Sequence, residues 1–238
     1  MSPKNRYYVW SATDSIFICE NCVTFSVILY LHLWTFVHNK MVDTLAKQSR
    51  SKKRINKILD AAINIIEEGE IDDLTLAKVA QISGLKRTST YKFIPTVDFL
   101  KKLIISKCID ECLESFSKNA LNKANAGDLV KVSNYIVYNM FEYFNSSLIA
   151  QKIILGNTIN PPIDSNCIHK LGNVIQETYE QSISLENVFN KQGVCRVVAQ
   201  IILSIFSLNT KESGKLNDIG KIEASRAVIA YMTSWTAK

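Results

Sequence analysis

Residues 75–95 read Thr-Leu-Ala-Lys-Val-Ala-Gln-Ile-Ser-Gly-Leu-Lys-Arg-Thr-Ser-Thr-Tyr-Lys-Phe-Ile-Pro. Two short helices meeting at a tight turn satisfy this stretch. Thr75 offers its hydroxyl oxygen to a free amide of the first turn, as an N-cap does. Val79, Ala80 and Ile82 supply apolar positions, and Ala80 is small where a second helix must approach. Gly84 can end the first helix at positive φ with little steric cost. Leu85 then returns towards the core. The second helix, Arg87–Phe93, is polar and basic, with Tyr91 and Phe93 at its far end and Pro95 as its stop. A helix, a Gly turn and a second helix with basic, hydroxyl and aromatic side chains is the pattern of a helix-turn-helix. Amphipathic helix pairs joined by Gly also occur in all-α proteins with no such role, so the rest of the chain must decide.

Eight Gly and four Pro in 238 residues leave little room for a turn-rich β fold, and 47% apolar residues suffice for a packed, mainly helical core. The net charge of +6 is unevenly placed. Residues 41–107 hold thirteen Lys and Arg against eight Asp and Glu, a net of +5, whereas residues 108–238 balance at twelve of each. The excess sits on the helix pair, where binding a polyanion would need it, because neutralising phosphates releases counterions. A surplus of this size is also found on ordinary soluble domains; its location carries the argument.

Landmarks on either side extend the pattern. Lys53-Arg54-Ile55 leads into Leu59-Asp60-Ala61-Ala62 and closes at Glu68-Gly69. Thr75, Val79-Ala80, Gly84-Leu85, Tyr91 and Pro95 follow in order, and Asp98 and Leu100 open a further helix. Residues 51–104 thereby resemble the N-terminal domain of the TetR family of transcription regulators. The chain departs from the family at Lys86, usually Ser, at Thr88, usually Gly or another small residue, at Ile94, usually Phe, and at Val97, usually a Lys that commonly touches a phosphate. The resemblance implies an all-α protein with an N-terminal three-helix helix-turn-helix DNA-binding domain (41–96) and a C-terminal helical domain (97–238) that binds an effector and dimerises. It also implies a cytoplasmic, ligand-responsive regulator, a repressor in the usual case. Such a protein is a homodimer that reads a near-palindromic double-stranded DNA operator and binds a small-molecule effector. No cofactor is expected.

Arg87, Thr88, Ser89, Tyr91 and Lys92 are the candidates for the DNA groove. Arg87 can pair bidentately with guanine, while Tyr91 suits a phosphate or a thymine methyl. Thr75, Lys78 and Lys86 are candidates for phosphates, and Phe93 for packing. Lys53 and Arg54 join them, with Lys52 and Lys57. Cations at a helix N-terminus oppose its dipole and favour an external anion, although a solvated basic lead accounts for each singly. Ile55, Ile58, Leu59, Ala62 and Ile66 form one apolar face of a first helix over 51–68.

Residues 97–117 read as a long helix linking the two parts, with Leu100, Leu103, Ile104, Cys112 and Phe116 inward. Further helices are expected at 128–145, 147–156, 165–183, 186–208 and 218–236. Breaks fall at Asn125-Ala126-Gly127 and Asn160-Pro161-Pro162, and a polar connection spans 211–221. Tyr135, Tyr138, Phe141 and Phe144, with Tyr179, could line an effector pocket or could be plain core; sparse charge there suits a neutral or hydrophobic ligand. Val194–Leu208 carries one charge, Arg196, and is apolar on nearly every face. Ala224, Val228, Tyr231 and Trp235 make a stripe on the last helix, with Ile229 and Met232 beside it. Val198, Ile202, Ile205, Val228, Tyr231 and Trp235 are therefore the expected dimer interface, since a monomer would struggle to cover both helices.

Residues 1–40 fall outside the family pattern. No Lys, Arg, Asp or Glu occurs from Asn21 to Asn39, and the segment is apolar. Three readings fit: a biological start at Met41, a membrane anchor through residues 16–38, or an extra packed helix. The anchor would make the chain a membrane-tethered helical interaction protein. No small-residue cleavage site marks a secretory signal. Cys19, Cys22, His32 and His38 imitate a zinc site, but the gap between the pairs is short and the setting too apolar. Cys108 and Cys112, one turn apart, read as a buried stripe or a redox or metal pair; the cysteines overall suit a reducing compartment. Gly-rich phosphate loops, Walker-type Lys-Ser/Thr, His-Glu-x-x-His and Gly-x-Ser-x-Gly are missing from the sequence, so an enzyme is not expected.

Overall fold

Eight residues from Ile58 to Val79 begin an apolar cluster that continues through Ile94 and Leu100 as far as Met232. The computed structural model in which this core is seen describes residues 49–118, 127–156 and 162–236. Every regular element among them is helical. The expectations for residues 1–40, including Cys19, Cys22, His32, His38 and the start at Met41, lie outside the described residues, as do the Asn125 and Asn160-Pro161 breaks. Residues 54–238 form one compact unit.

Helix α1 spans 49–68 and buries Ile58, Ala61, Ala62, Ile65 and Ile66, the face its 3.6-residue period specifies. A 3-10 turn, Ile71–Asp73, leads to α2 (Leu76–Ser83), α3 (Arg87–Phe93) and the long α4 (Val97–Lys118). Thr96 opens α4 by accepting from the Phe99 N–H at 3.1 Å. Leu100, Ile104, Ile105, Cys108, Ile109, Cys112 and Phe116 turn inward along α4, while Leu103 packs at the edge. Asp128 caps α5 (Leu129–Ser146) by accepting from the Lys131 N–H. Helix α6 is one turn, Leu148–Ala150, running into a π-helical segment, Gln151–Gly156. Asp164 caps α7 (Ser165–Glu180), and α8 (Lys191–Ser213) and α9 (Asp218–Thr236) complete the body. Gly172 lets α7 and α8 approach closely, since a Cβ there would meet the Arg196 side chain at 2.6 Å and its backbone N at 3.2 Å.

The expected helix 186–208 is displaced. Asn190 adopts the left-handed region (φ 53) and its side chain accepts from the Gly193 N–H, so α8 begins after it. Leu185 and Val188 are buried in the preceding turns instead. The helix then runs on to Ser213, where Gly214 ends it at φ 74. The polar connection expected over 211–221 shrinks to Gly214–Asn217, and its Leu216 is buried. Helix α7 ends at Glu180 rather than 183.

Cys108, Cys112, Cys167 and Cys195 are free and buried. Cys108 and Cys112 thus belong to the apolar stripe of α4. Burial pushes their thiols up to about 11 and about 12, and Cys195 to about 12. Unfolding returns each thiol to an ordinary value near 9. Between pH 9 and 11 the unfolded chain releases protons that the folded chain keeps, so stability falls as pH rises. The urea midpoint should be lower at pH 10 than at pH 8, and the three thiols should resist alkylation at pH 8 until the chain unfolds. A midpoint that holds steady, with rapid alkylation of folded protein, would contradict this.

Candidate nucleic-acid interface

The turn between α2 and α3 is fixed at both ends. Thr75 accepts from the Lys78 N–H at 3.2 Å, which fills one of the open donors at the start of α2. Gly84 sits at φ 67, ψ 17, where a side chain would be strained. Its left-handed turn lets the Leu85 N–H donate to the Ala80 carbonyl at 3.2 Å, closing the helix end. Leu85 packs against the core as expected, whereas Ile82 stays exposed. Lys86 precedes α3 in extended conformation, and its carbonyl accepts from the Ser89 and Thr90 N–H groups. Ile94, extended before Pro95, terminates α3.

The direction in which α3 faces follows from Thr90. Its side chain is fully buried, and its hydroxyl donates to the Lys86 carbonyl at 3.4 Å. Ile94 one turn later is fully buried too, and Phe93 packs against the core. The opposite positions, Arg87, Thr88, Tyr91 and Lys92, are therefore exposed at spacings i, i+1, i+4 and i+5, one continuous face. Tyr91 is 47% exposed although aromatic. Ser89 is half-buried at the edge of this face, and Lys86 is exposed beside it. No Asp or Glu occurs from Leu74 to Val97, which contains Lys78, Lys86, Arg87 and Lys92. None of these four enters an ion pair among the described residues. All four are exposed to solvent.

Thr75 and Lys78 are exposed at the start of α2. Engaged as a cap, the Thr75 oxygen still has its hydroxyl hydrogen to donate. Lys53 and Arg54 are exposed on α1. Val97, where the resemblance would place a Lys, packs against the core instead. Sequence reasoning missed Thr90, although its four-residue spacing from Lys86 and Ile94 was a usable signal. It also missed Lys152, for which no local pattern exists.

The aromatic residues of α5 separate. Phe141 and Phe144 each meet Phe206 edge to face, at 6.2 and 6.3 Å between centroids, and fill the core. Tyr179 is fully buried, with its hydroxyl 2.8 Å from Ser133 Oγ, and burial raises it well above the usual tyrosine range. Tyr135 is half-buried. Tyr138 is 49% exposed.

The expected dimer residues separate as well. Val198, Ile202 and Val228 are fully buried within the subunit, because they lie on the sides of α8 and α9 that face their own bundle. A helix apolar all round hides this phase in the sequence. Ile205 and Tyr231 are half-buried, and Trp235 is exposed. The exposed apolar side chains are instead Val197 and Leu208 of α8, Ile219 and Ile222 on the outward side of α9, Trp235 at the end of α9, and Phe189, 83% exposed, just before α8. Two open clefts include several of them. One, of about 530 Å³, includes Ile205, Leu208, Glu212, Ile219 and Arg226; the other, of about 470 Å³, includes Phe189, Arg196, Val197, Tyr231 and Trp235. Helix α8 is long and apolar enough to cross a membrane by composition alone, but over half of it is buried inside the bundle.

No family model matches the sequence, and no curated protein does. Solved structures do match. FadR of Thermus thermophilus, a TetR-family transcriptional repressor in complex with lauroyl-CoA, is 14% identical with a TM-score of 0.56, over 77% of this chain and 96% of that one. A TetR-family transcriptional regulator of Streptomyces coelicolor is 14% identical with a TM-score of 0.54, over 76% of this chain and 99% of that one. A third, from Shewanella sp. PV-4, is 12% identical with a TM-score of 0.54, over 77% and 97%. The chain has the all-helical fold of the TetR-family regulators.

Proposed function

We propose that this chain, built on the TetR-regulator fold, is a cytoplasmic DNA-binding transcriptional regulator and has no enzymatic activity. In this reading it is a repressor that binds a near-palindromic operator as a homodimer and leaves it when a small molecule binds. The observation that carries the reading is the exposed α3 face of Arg87, Thr88, Tyr91 and Lys92, within a stretch free of carboxylates. Arg87, Thr88, Ser89, Tyr91 and Lys92 enter the major groove, with Arg87 on a guanine edge. Lys53, Arg54, Thr75, Lys78 and Lys86 take phosphates and set the register. The outward apolar face of α8 and α9 meets its copy across a two-fold axis, which puts the two recognition helices about one DNA turn apart.

The effector is neutral or apolar. It enters the body where Tyr135, Phe141, Phe144 and Tyr179 pack between α5, α7 and α8, and it favours a dimer whose helix spacing no longer fits the operator. Lauroyl-CoA, bound by the Thermus thermophilus FadR, has a largely apolar acyl chain of the kind such a site would accept.

Fluorescence anisotropy of the full chain on DNA from beside its own gene tests the reading. Competitor-resistant binding that weakens steeply with salt is the expected result. Binding that random DNA removes as readily as the specific site, from folded protein, would contradict it.

A further inference from the structure

Lys152 stands on the π-helical segment, yet its ammonium serves a different part of the chain. Its Nζ donates to the carbonyls of Ile66 at 2.9 Å, Glu67 at 3.2 Å and Gly69 at 2.8 Å. An ammonium has three N–H groups, so all of them are spent on the end of α1. The last carbonyls of a helix lack partners within it and carry the negative end of its dipole. Lys152 supplies charge and donors there from 83 residues or more along the chain.

The segment that bears Lys152 is tied to the body on its other side. The buried Ser207 hydroxyl of α8 donates to the Leu155 carbonyl at 2.6 Å. Gln151 Oε1 accepts from the Leu216 N–H, in the connection between α8 and α9, at 3.0 Å. Beyond Gly69 the chain passes through the Ile71–Asp73 turn into α2 and α3. The end of α1 is thus the point from which the helix-turn-helix departs. Apolar burial under α1 is non-directional, whereas three hydrogen bonds to one helix end fix an orientation.

We propose that Lys152 is a positioning residue that holds α1, and with it α2 and α3, at one angle to the α4–α9 body. Its consequence for operators rests on the DNA-binding reading above: in a two-fold dimer that angle sets the separation of the two α3 helices. The latch itself does not depend on that reading. It also gives any change around α8 or the Leu216 connection a covalent and hydrogen-bonded route to the recognition helix.

The test replaces Thr88 and Glu142, both exposed, by a ketone-bearing residue that takes a nitroxide and leaves the native cysteines alone. Distances between the labels are read by pulsed electron spin resonance in the wild type and in Lys152→Met, Lys152→Arg and Lys152→Gln. With labelled chains diluted in an excess of unlabelled ones, so that only the distance within a subunit is read, the wild type should give one narrow distribution, Lys152→Met a broadened or shifted one with unchanged circular dichroism, and Lys152→Arg a largely restored one. If Lys152→Met does not fold, Lys152→Gln is read the same way. An unchanged distribution overturns the proposal, whatever happens on DNA.

Binding is then compared on an operator and on the same operator with one base pair inserted between its half-sites. The wild type should lose about tenfold on insertion and the loosened variant about twofold or less. Simple destabilisation would weaken both operators by one common factor, and that result would overturn the positioning role. If the wild type ignores every DNA yet the label distribution broadens in Lys152→Met, the latch stands and the regulator reading falls.

Discussion

Alanine at both Arg87 and Tyr91 should leave a folded protein that binds its operator at least a hundredfold more weakly. The two side chains share the exposed face of α3, and neither belongs to the core cluster. Losing a bidentate guanine contact costs about 1–3 kcal/mol, and every lost phosphate contact also lowers the salt slope by about one. The fold should hold because α3 is anchored by Thr90, Phe93 and Ile94, on its other side. Anisotropy titrations at two salt concentrations, with circular dichroism and sedimentation on the same samples, give the answer. Undiminished binding by the double variant would end the assignment of this face to DNA.

A second large effect is expected from Val197→Arg combined with Leu208→Arg. Both side chains project from the outward face of α8, and Leu208 is 57% exposed. In a monomer a long cation there is harmless. In a dimer closed through this face, two copies of each charge would meet in an apolar interface, and burying an unpaired charge costs several kcal/mol. The variant should sediment as a folded monomer. Its operator affinity should fall by about two to four orders of magnitude, because the second half-site is no longer bound intramolecularly. Val198→Arg, one residue away, should not fold at all, since Val198 is fully buried. A Val197→Arg, Leu208→Arg protein that stays dimeric at micromolar concentration would move the interface elsewhere.

The contrast between Val197 and Val198 shows where sequence reading succeeds and where it stops. The turn at Gly84 was legible because one residue type is suited to positive φ, and because Thr75 and Pro95 mark the boundaries of the pair. Helix α1 was legible because its apolar residues recur with a single phase. Helix α8 offers apolar residues on almost every face, so the sequence shows no preferred side, and Val198 and Ile202 are internal. Its start was hidden for a different reason: the decisive residue, Asn190, acts through a left-handed backbone that Asn only sometimes adopts. The exposure of Tyr138 was not legible, because aromatic character does not fix how far a position on α5 is buried. Lys152 was beyond reach, since its partners lie in α1 and nothing near it in the chain points there.

The unbroken run of apolar contacts from Ile58 to Met232 has a consequence for how this protein could be taken apart. Leu76, Val79 and Ile94 beneath the helix-turn-helix belong to the same cluster as Ile109, Phe144 and Phe206. Excised alone, α1–α3 would carry their buried side into water, and α4–α9 would lose the cover over theirs. Melting should therefore be a single event reported alike from either end, and a ligand held in the body should protect the recognition helix from heat as much as it protects its own site. Grafting α1–α3 onto a different body would need their underside redesigned, whereas the outward positions of α3 could be changed without touching that core.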